Sequence, residues 1–211
     1  MPYIERDTSW MYFNKRILLE AMRPDLPLLE RFNYLGIYSN NLDEFFRVRV
    51  ASLRRLIDSA EELPSAERKK AKETLRTILR LNREYSQLFD ETFAQLVREL
   101  KDAHIHIINE HELTSSQEEE VLSFFMDKIN GFTNPIFINS PTFNPEQHLK
   151  ESLYLAVVLW HDQEEPETGH EVALLEVPVR ELGRFFRLRD KDGESYLMFL
   201  DDVIRYCLPY I

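Results

Sequence analysis

Leu35-Gly36-Ile37-Tyr38-Ser39-Asn40-Asn41-Leu42-Asp43-Glu44-Phe45 is the stretch that decides how the first half of the chain is read. Gly36 sits inside an apolar helical pattern, where it costs about 1 kcal/mol relative to Ala. Three small polar residues follow, Ser39, Asn40 and Asn41. Asn41 precedes Glu44 by three, the spacing of a helix N-cap whose N3 carboxylate bonds back to the cap. Asp43 and Glu44 would then lie in the first turn of a new helix, where acids suit the macrodipole. The spacing predicts two helices meeting at a tight polar elbow, with Asn41 as the cap of the second.

Outward from the elbow, a first helix follows the cap candidates Asp7, Thr8 and Ser9, with Trp10, Phe13, Ile17, Leu18 and Ala21 at helical spacing. Arg23-Pro24 ends it, because the residue before Pro avoids the α region. Pro27 can open a second helix, on which Leu28, Phe32 and Leu35 share a face. A third, from about Leu42 to Ser59, stacks Leu42, Phe46, Val50, Leu53 and Ile57. A long fourth, from about Ala66 to Lys101, carries a near-heptad seam of Leu75, Ile78, Asn82, Tyr85, Phe89, Thr92, Leu96 and Leu100. The character changes near Ala103. His104–Ile108 alternates as a strand does, and a helix capped at Thr114 or Ser115 runs to Asn130-Gly131. Short β-rich runs follow at Pro135–Asn139, Tyr154–Trp160, Val172–Val177, Phe185–Leu188 and Tyr196–Phe199. A last helix spans Leu200 to Leu208. The fold class expected is α then α+β: an antiparallel helical bundle over 1–103, then a mixed α/β domain over 104–211, incomplete at its C-terminus. Val203, Ile204, Tyr206, Leu208, Tyr210 and Ile211 need cover, which suggests a polypeptide continuing beyond Ile211.

Charge divides at the same place. Of the formal −11, residues 1–103 hold 18 Lys/Arg against 17 Asp/Glu, and residues 104–211 hold 8 against 20. An acidic second half repels nucleic acid and other polyanions. Cys207 is the only cysteine, so no internal disulfide can form and a reducing, cytoplasmic setting is expected. No run approaches the roughly 20 apolar residues of a membrane span, although nothing in the sequence rules against peripheral membrane contact.

No glycine-rich phosphate loop and no zinc spacing is present. His104 and His106 share a strand face with His111 near, and read as structural or surface histidines rather than a metal set. Glu164, Glu165 and Glu167 lie in an acidic stretch, Gln163–Gly169, that reads as a solvated hairpin tip. Arg47 and Arg54 are seven apart on one helical face, with Arg55 beside them; such a cluster can bind phosphate or pair with acids of a neighbouring subunit. Asn41 offers both donor and acceptor, so it could meet a purine edge or serve only as a cap.

Three stretches then carry a resemblance: Asp7–Ala21, Pro27–Phe32 and Gly36–Arg49, with Ser39–Phe45 the most specific. They resemble the N-terminal region of the bacterial polyphosphate kinases of the phosphohistidine type. Asn134–Asn139, Tyr154–Leu159, Ala173–Pro178 and Arg205–Leu208 resemble the family's next, "head" domain. The resemblance implies a reversible transfer of the ATP γ-phosphate to polyphosphate through a phosphohistidine. It implies ATP or ADP and polyphosphate as partners, magnesium held by further C-terminal domains, and a homo-oligomer, dimer or tetramer, to which the head domain contributes a surface. It places the reactive histidine outside this chain, so no catalytic residue is carried over. One ligand residue is: Asn41 matches the asparagine that contacts the adenine end of ATP. By this reading the 211-residue chain alone is inactive. The rival expectation is a non-catalytic helical scaffold whose elbow is only a cap.

Overall fold

The elbow is absent. In the computed structural model, which describes residues 5–58, 64–160 and 170–211, helix α2 (Leu28–Phe45) passes straight through Ser39, Asn40 and Asn41. It continues through a π-helical turn, Phe46–Val50, into α3 (Ala51–Asp58) without leaving helical dihedrals. The expected second and third helices are therefore one rod, and Asn41 caps nothing. Local polarity misled because an amide within a helix is disfavoured by only tenths of a kcal/mol, up to about 0.7. Packing on both sides of the polar run, through Leu35, Tyr38 and Phe45, overrides that cost.

The chain divides into two units at Asp102–Ala103. The first holds α1 (Arg6–Ala21), the α2–α3 rod and α4 (Ser65–Asp102). Three rods rather than four make the bundle. The N-cap of α1 is Glu5, not Asp7, Thr8 or Ser9: its carboxylate accepts from the N–H groups of Asp7 and Thr8 at 2.8 and 3.0 Å. The buried face of α1 is Asp7, Met11, Asn14, Leu18 and Ala21: Leu18 and Ala21 are buried as expected, but Met11 and Asn14 take the places expected of Trp10, Phe13 and Ile17. Trp10 and Ile17 are half-buried and Phe13 is 56% exposed. Ile78, Leu81, Tyr85 and Leu96 of α4 close the core against Met11, Leu18, Leu35, Tyr38 and Val50. Buried Arg31 clips three elements together. Its Nε donates to the Ala21 carbonyl at 2.8 Å and its Nη1 pairs with Glu99 at 2.5 Å.

The second unit contains two three-stranded sheets. In one, β1 (Ile105–Ile108) pairs in parallel with β6 (Ser195–Phe199), Ile105 opposite Ser195, and β5 (Phe185–Arg187) pairs antiparallel on the far side of β6. In the other, β4 (His170–Val177) lies between β2 (Ile136–Phe137) and β3 (Leu153–Trp160), with Leu153 opposite Val177. Ala173, Leu175 and Val177 alternate inward along β4, the period-two pattern of a sheet with one buried face. Helix α5 (Ser115–Phe124) starts at Thr114, whose N–H donates to Gln117, and also ends in a π turn, Phe125–Ile129. Two four-residue helical turns, α6 (Pro145–His148) and α7 (Val179–Leu182), lie in connections. Helix α8 (Leu200–Tyr206) supplies Val203 and Ile204 to the core, which is shared with Val121, Phe125, Ile129 and Met198. Val203 and Ile204 thus find their cover within the chain. The acidic tip expected at Gln163–Gly169 lies outside the described residues. Among the described residues no helix is long and apolar enough to cross a membrane.

Candidate functional site

Because α1 and the α2 rod run antiparallel, residues far apart in sequence face each other in pairs. Asp7 meets Arg49 at one end, and Asn14 meets Asn41 about two turns away. Between them lies an open groove of about 480 Å³, lined by Arg6, Asp7, Trp10, Phe13, Asn41, Glu44, Phe45, Val48 and Arg49. Trp10 stacks on Phe45 with ring centroids 4.1 Å apart and an interplanar angle of 4°. Val48 and Phe13 stay largely exposed beside them. The π turn falls at this point of the rod. Its signature is the Ala51 N–H reaching back five residues to the Phe46 carbonyl. Such turns add a residue to the helix and recur at functional sites.

At one end, Asp7 is buried and takes both the Nε and Nη2 of Arg49, at 2.9 and 3.1 Å. This two-point grip raises the Arg49 pKa above its already high ordinary value, chiefly through the hydrogen bonds to Asp7, so the guanidinium stays charged at every working pH. At the other end, Asn14 is 1% exposed. Its Nδ2 donates to the Tyr38 carbonyl at 3.1 Å, and its Oδ1 accepts from Asn41 Nδ2 at 3.3 Å. Turning the Asn14 amide over would set oxygen against the Tyr38 oxygen and leave a buried donor unmade, at about 1–3 kcal/mol. Asn41 itself is half-buried and lines the groove.

The groove pairs two cations, Arg6 and Arg49, with two anions, Asp7 and Glu44. A balanced charge set gives no net pull on a phosphate chain. Stacked aromatic walls beside an amide with spare donor and acceptor capacity suit a flat, uncharged, hydrogen-bonding ring. A second groove, of about 540 Å³, lies between α5 and the β5 region. It is lined by mixed surface charges around the stacked pair Phe124 and Phe186, and it contains none of the candidate residues.

The other candidates separate. Arg47 pairs with Glu44 on its own helix, while Arg54 and Arg55 are exposed. His104 Nδ1 and His106 Nε2 both reach one carboxylate, Glu194, at 2.8 and 2.6 Å. The tight turn carrying Asp192 and Gly193 at positive φ brings Glu194 there. His111 lies 3.6 Å from Glu110 instead. Among the described residues no three His, Cys, Asp or Glu side chains converge as a metal site requires. The sequence points to none of Asn14, Asp7 and Arg49 as a site residue, and to Asp7 only as a cap candidate. Asn14 left a trace, a polar residue in the Met11–Leu18–Ala21 stripe, whereas an ion pair 42 residues apart leaves none.

A helical first unit carrying this groove, followed by a small mixed-sheet unit, defines the class of chain. The family models then specify it: residues 3–108 match the polyphosphate kinase N-terminal domain and residues 116–211 the polyphosphate kinase middle domain. The chain belongs to the polyphosphate kinase family. Over 98% of its length it is 35% identical to a polyphosphate kinase of Vibrio parahaemolyticus, and over 99% it is 36% identical to one of Escherichia coli K12. The crystal structure of a polyphosphate kinase from Porphyromonas gingivalis superposes on the whole chain with a TM-score of 0.85 at 28% identity. The chain spans 29–30% of the length of these relatives.

Proposed function

We propose that this chain is the N-terminal portion of an enzyme that moves the γ-phosphate of ATP reversibly onto inorganic polyphosphate, by way of a histidine outside these residues. Within it, the α1–α2 groove holds the adenine ring, with Asn41 on the ring's polar edge. The observation that carries this reading is Asn41 lining a charge-balanced aromatic groove while its Nδ2 is tied back to Asn14. ATP fits that description at its base and not at its phosphates. The triphosphate, the magnesium it brings and the phosphoryl chemistry belong to groups beyond this chain, and no residue here is assigned to the metal. The chain's own part is binding and orientation: it fixes where the base sits and therefore where the γ-phosphate can reach. The second unit offers surface for a homo-oligomer, dimer or tetramer, in the cytoplasm.

A rival from another class makes the Asn14–Asn41 contact a clip between helices of a non-catalytic scaffold. Asn41→Leu in the full-length kinase separates the two. The nucleotide reading expects an ATP KM raised about tenfold, as for one lost hydrogen-bonding pair, on top of the fall in melting temperature that both readings share once the buried Asn14 Oδ1 loses its donor. Lost stability with an unchanged KM would favour the clip. The purified 211-residue chain is expected to make no polyphosphate from ATP, and synthesis by it would overturn the division of labour.

A further inference from the structure

The groove amide is not free to choose which way it faces. The fixed point is the Tyr38 carbonyl, in the interior of α2, which already accepts a bond of the helix ladder and can only accept more. It therefore draws the Nδ2 of Asn14, at 3.1 Å. Asn14 is buried, with Met11 and Leu18 on its own face of α1, so it has no water to compensate a flipped amide. Its Oδ1 is thereby turned to Asn41, and an oxygen there demands a donor. Asn41 supplies one N–H, at 3.3 Å. Of the two donors and one oxygen of the Asn41 amide, one donor is spent. The oxygen and one N–H remain for the groove.

We infer that Asn14, held by the Tyr38 carbonyl, is a positioning residue that fixes the Asn41 amide to present one acceptor and one donor, and so selects adenine over guanine nucleotides. The inference rests on the base-contact reading given above. Adenine offers an exocyclic N–H next to a ring nitrogen acceptor, which an acceptor–donor amide meets at two points. On the Watson–Crick edge guanine presents the reverse order, the O6 acceptor beside the N1–H donor. An amide locked in this sense sets its oxygen against O6 and its N–H against N1–H. An unlocked amide rotates to suit either base.

The test is the affinity of the chain for ATP and for GTP, titrated by nuclear magnetic resonance, in wild type, Asn41→Leu, Asn14→Leu and Asn14→Asp. Wild type should prefer ATP by about tenfold or more, the discrimination of one good two-point amide contact. Asn14→Leu removes the lock, and the preference should fall to about threefold or less while ATP still binds. Asn14→Asp keeps an oxygen toward Asn41, so the preference should survive even where the melting temperature falls; a purely structural role would instead make the preference follow stability in both variants. A preference kept in Asn14→Leu and abolished in Asn41→Leu overturns the positioning role while leaving the base contact standing. No effect of Asn41→Leu on either nucleotide overturns both. If Asn14→Leu does not fold, Asn14→Ala takes its place: a preference fallen to about threefold or less supports the lock, and a kept one, or one lost in Asn14→Asp, refutes it.

Discussion

Replacing Gly36 and Asn40 by Ala asks whether the chain bends at 39–41 or runs on. Both residues are exposed on α2. A Cβ built on Gly36 meets nothing within 4 Å, and its backbone lies outside the left-handed region. In an exposed helix interior, Gly→Ala is worth about 0.8–1.0 kcal/mol and Asn→Ala up to about 0.7. With no neighbour to disturb, the double variant should gain about 1.5 kcal/mol. For a unit of this size each kcal/mol moves the transition by about 4–8 °C, so the helical unit should melt about 6–12 °C higher. Far-ultraviolet circular dichroism follows that transition, with urea denaturation as a second measure. If 39–41 were an elbow, Asn40 would lie in turn geometry that Ala does not favour. A lower melting temperature for Asn40→Ala alone would refute the continuous rod.

Three further outcomes follow from the packing and the charges. Glu99→Ala should destabilise more than Arg31→Met, by about 2 against about 1 kcal/mol in chemical denaturation. The first leaves a buried guanidinium unpaired, while the second replaces it with apolar volume; the figures are discounted because Glu99 is 35% exposed. Equal costs would contradict that asymmetry. The hydrogen bonds from His106 and then His104 hold the Glu194 carboxyl below its ordinary value of 4.5. A depressed carboxylate contributes stability above its unfolded pKa and loses it as pH falls through the folded one. Glu194→Gln should therefore lower the melting temperature at neutral pH and flatten its fall below about pH 4.5, as differential scanning calorimetry would record. Burial pushes the Cys207 thiol up to about 11. It should resist a thiol reagent at pH 8 in the native chain and react at once in denaturant; fast native labelling would place it nearer solvent than the structure does.

The strands and the break near Ala103 were legible because period-two alternation and turn residues are local signals. All six expected strand runs coincide with strands, although β2 shortens to Ile136–Phe137. The expected elbow fails for the opposite reason. Asn41 and Glu44 carry a cap's spacing, but a cap needs the chain to leave helical dihedrals, and tertiary contacts of Tyr38 and Phe45 kept it in. Apolar character on α1 likewise points away from the site: Trp10 and Phe13 form its more apolar stripe, as a core face would, yet they line the groove. The core took Met11 and Leu18, with Asn14 between them. For Asn41 the cap role fails, since α2 runs straight through it.

The decisive contact is that of the Asn41 side chain with the base of a nucleotide. A ¹⁵N-resolved titration of the chain with ATP, watching the Asn41 and Asn14 side-chain amides and the Trp10 indole, addresses that contact atom by atom. All three signals should move together with ATP and stay still with ribose 5-triphosphate, which lacks the base. Silent amides with ATP, or equal shifts with the baseless compound, would contradict that contact.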